Sequence, residues 1–351
     1  MTKRTLASLS ASVCALSSLL LGGCPSDPGG GPMDSVDLAQ ADQAAGPEDM
    51  ATSLPDLIGA AAPTKVTGFM QPASAFWDAS SNAWYISNVV TTNITDPKSF
   101  RDSKAFITKV PANLMNPNHA WYPDTATAKL SAPFGMRVQG NKLYIGDIDK
   151  LWAIDIANPT TVAPIQSATV AAGGFAGLAG YPAFIIDVAL DSTGNVYAAD
   201  ATGGRLLKWS APFTANSAPA VIVSADTFAG TSGVFVDGTS VIIAEAGVSQ
   251  LGKTGGISTC NLDGSMRKRV VNSTQNMLAY QGIEKDGGKY LIASPGDKKV
   301  YSVDLANGQR TLVRDTAADG ATTATDIGWD PVGRVLAVPD TSANVVYFYK
   351  L

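Results

Sequence analysis

One pattern recurs six times along this chain and restricts its fold more than any other feature. It is an apolar strand, a tight turn, and a second strand that ends in a polar residue. The copies are PASAFWDASSNAWYISN from Pro72, PFGMRVQGNKLYIGD from Pro133, IIDVALDSTGNVYAAD from Ile185, TSGVFVDGTSVIIAE from Thr231, YQGIEKDGGKYLIAS from Tyr280 and ATDIGWDPVGRVLAVPD from Ala324. Their second strands end at Asn88, Asp147, Asp200, Glu245, Ser294 and Asp340, so successive copies lie 59, 53, 45, 49 and 46 residues apart. That period suits one four-stranded antiparallel sheet per copy. Third strands of the type KLWAIDI, GRLLKWS, GGISTCNL, KKVYSVDL and NVVYFYKL follow, and RTLVRD and RKRVV read as outer strands.

A single such sheet exposes two apolar faces. Packing six of them around an axis buries each face against its neighbour and leaves only short edges. The expectation is an all-β fold, a six-bladed β-propeller with four-stranded antiparallel blades over residues 65–351. The chain ends on a strand, so the last blade needs an outer strand from elsewhere, and APTKVTGF (62–69) is the natural donor. The polar residue closing each second strand is expected to cap backbone N–H groups, as short polar side chains do in turns.

The first 64 residues differ in kind. Residues 1–23 carry Lys3 and Arg4 and then an apolar run rich in Leu, Ala and Ser that ends in Leu21-Gly22-Gly23-Cys24. This quartet resembles the lipobox of bacterial lipoproteins, which implies cleavage before Cys24, lipidation of its thiol and attachment to a membrane. Two or more acyl chains give stable anchoring where one is marginal. Pro25 replaces the aspartate associated with inner-membrane retention, favouring the outer membrane. Residues 24–64 hold seven acids, no Lys or Arg and no aromatic residue, the composition of a flexible acidic linker.

The linker's acids change the meaning of the charge. From Lys65 onward 23 basic residues face 23 acidic ones, so the repeat region is neutral. Nucleic-acid binding needs a basic stripe and is not expected. The one basic cluster, Arg267-Lys268-Arg269, reads as a solvated outer strand. The single histidine, His119, reads as an exposed loop residue, and Cys260 as a small buried hydrophobe. Trp77, Trp84, Trp152 and Trp329 fall inside strand patterns and are expected to pack blades. Long insertions at 89–106 and 246–256 are candidate binding loops.

The stretches PASAFWDASSNAWYISN, APFGMRVQGNKLYIGD, IIDVALDSTGNVYAAD and TDIGWDPVGRVLAVPD resemble the senescence-marker-protein/gluconolactonase group and the related NHL-repeat propellers. The resemblance covers nearly all of 65–351 and implies a lactone or ester hydrolase with one divalent cation, usually calcium, at the central channel. It places the cation ligands, normally carboxylates and an Asn, on Ala73, Ile186, Ser232 and Gln281. Two apolar side chains, a hydroxyl and an amide give no formal charge to offset dehydration of a divalent ion. Asp187 and Asp326 stand beside this column, as alternative ligands or as hydrogen-bonding braces of the channel. The expected function is therefore a lipid-anchored, non-catalytic binding or scaffold module without a metal cofactor. A monomer is expected, with a small molecule or an envelope protein as partner; the alternative is a lactonase-like hydrolase with a degenerate calcium site.

Overall fold

The computed structural model describes residues 62–91, 100–123, 129–173, 183–224, 227–248, 253–272 and 280–351. The expected signal segment 1–23, Cys24 and the expected linker as far as residue 61 lie outside the described residues.

Six four-stranded sheets carry the repeats. Blade one contains β2 (Pro72–Asp78), β3 (Ala83–Asn88), β4 (Phe106–Pro111) and β5 (Asn118–Tyr122). Blade two contains β6 (Pro133–Gln139), β7 (Lys142–Asp147), β8 (Lys150–Asp155) and β9 (Ile165–Gln166). Blade three contains β10 (Ile185–Leu190), β11 (Val196–Asp200), β12 (Arg205–Trp209) and β13 (Ala220–Val223). Blade four contains β14 (Thr231–Asp237), β15 (Ser240–Glu245), β16 (Gly256–Asn261) and β17 (Lys268–Asn272). Blade five contains β18 (Ile283–Asp286), β19 (Lys289–Ser294), β20 (Lys299–Val303) and β21 (Arg310–Asp315). Blade six contains β22 (Gly328–Asp330), β23 (Val335–Asp340) and β24 (Val345–Lys350), and its outer strand is β1 (Thr64–Val66).

The fold is a six-bladed β-propeller. The inner strands β2, β6, β10, β14, β18 and β22 touch one another in that cyclic order, and β22 returns to β2. The tight turns between first and second strands use residues that tolerate positive φ, such as Gly140 (φ 59°) and Gly238 (φ 59°). Apolar residues collect at the junctions between blades. Leu143, Ile145, Trp152 and Ile154 of blade two meet Tyr85, Ile107, Trp121 and Tyr122 of blade one. Ala337, Val346 and Phe348 of blade six meet Ala75, Trp84 and Ile86 of blade one.

The ring closes where the sequence predicts. β1 pairs antiparallel with β24, with Thr64 opposite Phe348 and Val66 opposite Val346. Val66 is buried in the junction between blades six and one, beside Trp84 and Phe348. First and last segments of the propeller thus share one sheet, which ties the ring shut.

The polar residues that end the second strands act as backbone acceptors, mostly toward the segment entering their own blade. Asn88 accepts from Met70 N–H at 2.9 Å, and Asp147 from Ser131 and Ala132 at 3.0 and 2.6 Å. Asp200 accepts from Phe184 at 2.9 Å, and Glu245 from Ala229. Asp200 and Asp340 also accept from Gly203 and Ala343 in the turns that follow. Ser294 departs from the pattern: its buried hydroxyl has no partner among the described residues.

Two sequence expectations need correction. His119 is a half-buried member of β5, not an exposed loop residue; its ring meets Phe69 edge-on at 5.2 Å. Within the basic cluster, Arg269 is a brace, donating to Glu245 at 3.1 Å and to the Thr254 carbonyl at 2.6 Å. Cys260 is buried as expected, and burial pushes its thiol up to about 11.

Candidate functional site

The four positions assigned by resemblance lie at the inner strands, but they do not form a ligand set. Ala73, Ile186 and Ser232 sit where the inner strands slip in register against their partners. Each bulge carries an extra residue there. Ile186 packs in an apolar cluster that runs through blades one to four. Ala73 offers its carbonyl to Asp326 N–H at 3.3 Å. The Ser232 hydroxyl donates to the carbonyls of Tyr280 and Ala244. Gln281 is buried, and its Oε1 has no donor among the described residues.

The charge at the hub comes from their neighbours. Arg137, on the inner strand of blade two, extends across the axis to blade five. There its Nη2 lies 3.1 Å from the carbonyl oxygen of Ile283 and 3.4 Å from the Glu284 carboxylate. Nη1 donates back to the Met136 carbonyl at 2.8 Å, and the guanidinium carbon lies 5.5 Å from the Phe76 ring centre. Blades two and five are opposite in a six-membered ring. Asp187 and Asp326 come from a second opposed pair, blades three and six.

Each aspartate is hydrogen-bonded to the next blade and packs against a glycine of the preceding one. Asp187 Oδ2 accepts from Val234 N–H of blade four at 2.8 Å, while Oδ1 accepts from Val188 at 2.7 Å. On its other side stands Gly135 of blade two, where a Cβ would collide with the Asp187 side chain. Asp326 Oδ2 accepts from the Ser74 hydroxyl of blade one at 2.6 Å. Gly282 of blade five stands against Asp326 as Gly135 stands against Asp187. Both aspartates make the hydrogen bonds of channel braces.

One cation thus faces three carboxylates, all buried. Burial raises Asp187 above the ordinary carboxylate range, with Arg137 pulling the other way. Burial and the nearby Asp187 hold Asp326 well above that range, against Arg137 and Ser74. Burial pushes Glu284 up to about 7, again opposed by Arg137. Burial works against the charge on Arg137, but Glu284, Asp187 and Asp326 outweigh it, so the guanidinium stays charged. Asp326 Oδ1 has no hydrogen-bond partner among the described residues, and Glu284 Oε1 has only the Arg137 guanidinium at 3.4 Å, so a proton taken up by the cluster has a free oxygen to occupy.

This hub does not fit calcium. A calcium site needs several oxygen ligands converging on one point. Here the protein's own guanidinium stands among the carboxylates. Among the described residues no group of three or more His, Cys, Asp or Glu side chains is placed to hold an ion. Nor does the hub hold a hydrolytic triad: Ser74 bonds to Asp326, and the one histidine of the chain is out on β5. A cavity of about 270 Å³ opens at one end of the hub, lined by Arg137, Gln139, Asp191, Ser192 and Phe235 among others.

Arg137 and Glu284 were not singled out from the sequence. A signal was present: each follows by two residues a glycine of an inner strand, in FGMR and QGIE, on copies three repeats apart. Three repeats apart in a six-blade ring means face to face.

No protein-family model and no curated protein matches the sequence. Among solved structures 1093 chains match, so the fold is widespread and does not choose an activity. One of them, described as the crystal structure of the nidogen/laminin complex, aligns with a TM-score of 0.52 at 14% identity, over 69% of this chain and 85% of that one. A likeness at that identity carries the propeller architecture alone.

Proposed function

We propose that this chain is a lipid-anchored extracytoplasmic propeller, tethered through Cys24 to the outer membrane by its acidic linker. It acts as a non-catalytic binding or scaffold module, and its loops meet a small molecule or an envelope partner. The observation that carries this reading is the position of Arg137. In the gluconolactonase-like enzymes that the repeats resemble, catalysis depends on a divalent cation at the hub. Here a guanidinium 3.4 Å from Glu284 stands among the hub carboxylates instead. The hydrogen bonds of Asp187 and Asp326 are spent on holding blades together.

One observation favours the second reading, a lactonase-like hydrolase with a rearranged site. Glu284, raised to about 7, lies in the range of a general acid–base. Hydrolysis assays on lactones and simple esters, with and without a chelator, separate the two. The binding-module reading expects no hydrolysis above background. Turnover that Glu284→Gln abolishes would establish the hydrolase instead.

A further inference from the structure

A second cleft lies away from the hub, between blades one and two. It encloses about 290 Å³ and is bordered by Arg101, Lys129, Asp147, Asp149, Lys150 and Trp152. Residues 100–105, the far end of the insertion after β3, are anchored by Phe100, which is fully buried and meets Phe184 edge-on at 5.4 Å. Ala105 forms an antiparallel β-bridge with Leu130, which joins the segment after Ser103 to the one after Lys129. Arg101 reaches Asp149 at 2.6 Å. Ile148, between the two aspartates, adopts φ 54°, an unfavourable conformation for a β-branched residue. Its carbonyl is held by Ile185 N–H at 2.6 Å.

The charges of this cleft do not cancel. Arg101 is matched by Asp149, and both oxygens of Asp147 are taken by the N–H groups of Ser131 and Ala132. Lys129 and Lys150 border the same space and form no ion pair among the described residues; Lys150 has only Gln166 Oε1 at 3.5 Å. Trp152 is buried at the wall, and its indole N–H has no acceptor among the described residues. The hydroxyls of Ser103 and Ser131 border the space as well. Three cations thus face two carboxylates, with Lys150 acting on Asp147 and Lys129 in excess, and with an orphan indole donor and two hydroxyls they make a donor-rich cleft of small-molecule size.

We infer that the blade one–two cleft binds a small anion with two or more acceptor oxygens, a carboxylate or a phosphate, held by Lys129 and Lys150 with Trp152 at its wall. This rests on the reading of the propeller as a binding module and names the ligand chemistry. The full chain is titrated calorimetrically with succinate and with inorganic phosphate, with uncharged glucose as control, while tryptophan fluorescence is followed. The expected result is saturable binding of at least one anion, none of glucose, and weakening by added sodium chloride, as an ionic contact requires. Lys129→Ala with Lys150→Ala should weaken it at least tenfold with an unchanged melting temperature. Absence of saturable binding by both anions overturns the proposal, and so does undiminished binding by the double variant. Neither outcome touches the binding-module reading, which the hydrolysis assays test separately.

Discussion

Arg137 of the second blade and Glu284 of the fifth meet across the axis of the ring at 3.4 Å, joining two opposite walls of the hub. Asp187 and Asp326, from a second opposed pair of blades, tie blade three to blade four and blade six to blade one beside this bridge. The propeller's centre is therefore a structural ionic cluster, and its energetics can be read directly.

Removing the cation should cost most where the carboxylates are ionised. Breaking a buried ion pair from one side costs about 3–5 kcal/mol, because an uncompensated charge stays behind. Arg137→Met should destabilise by that amount at pH 8 and by clearly less at pH 5, where protons replace the lost cation. Denaturant unfolding of both proteins at the two pH values checks this. Equal destabilisation at both would mean the carboxylates do not feel Arg137.

The pH dependence has a definite sign. Glu284 titrates at about 7 in the folded protein, above an ordinary 4.5, and Asp147 at about 6, above 3.8. The folded state thus binds more protons than the unfolded chain between those limits, so the stability these groups contribute is present at pH 5 and is lost as pH rises toward 8. For Glu284 alone the shift corresponds to roughly 3 kcal/mol. The melting temperature should fall from pH 5 to pH 8, and Glu284→Gln should flatten that slope. A wild-type melting temperature that climbs over this range would be the opposite of what is expected.

The clamping of the aspartates explains two glycines. A Cβ at Gly135 or Gly282 would run into Asp187 or Asp326, whereas one at Gly288 meets nothing within 4 Å. Gly135→Ala and Gly282→Ala should each destabilise by about 1–3 kcal/mol through overpacking. Gly288→Ala should be neutral or gain up to about 1 kcal/mol, because Ala restricts the unfolded chain. Thermal denaturation of the three variants side by side tests the contrast.

Ring closure through β1 should matter to every blade. Deleting 62–69 strips β24 of its partner and removes Val66 from the junction around Trp84 and Phe348. The whole propeller should melt several degrees lower, at about 2–4 °C per kcal/mol lost for a domain of this order of size, and still in one transition. An unchanged melting temperature would show that β1 is dispensable.

The architecture was legible because repetition multiplies weak signals: one strand–turn–strand is ambiguous, but six at a common spacing leave little but a ring. The closing strand followed from counting, since a chain ending on NVVYFYKL leaves its last sheet one strand short. The hub was less legible. Bulges at Ala73, Ile186 and Ser232 shift which residue faces inward, and no local pattern announces a bulge. Asp187 and Asp326 were found beside the resembling ligand column, but their partner Arg137 was not. A lone arginine in an apolar strand becomes informative only once the fold sets it opposite Glu284. His119 was misplaced for a related reason: the Pro- and Asn-rich NPNHAWYP reads as a loop, yet pairing with β4 makes a strand of its second half.

The central claim is that the protein's own guanidinium and backbone N–H groups, rather than a divalent cation, answer the carboxylates of the hub. Metal content after equilibration with calcium and desalting, read by mass spectrometry on the intact folded chain, tests it most directly. The account predicts no stoichiometric divalent ion in the wild-type protein. One calcium retained per chain, and lost when Asp187 and Asp326 are replaced by Asn, would contradict it.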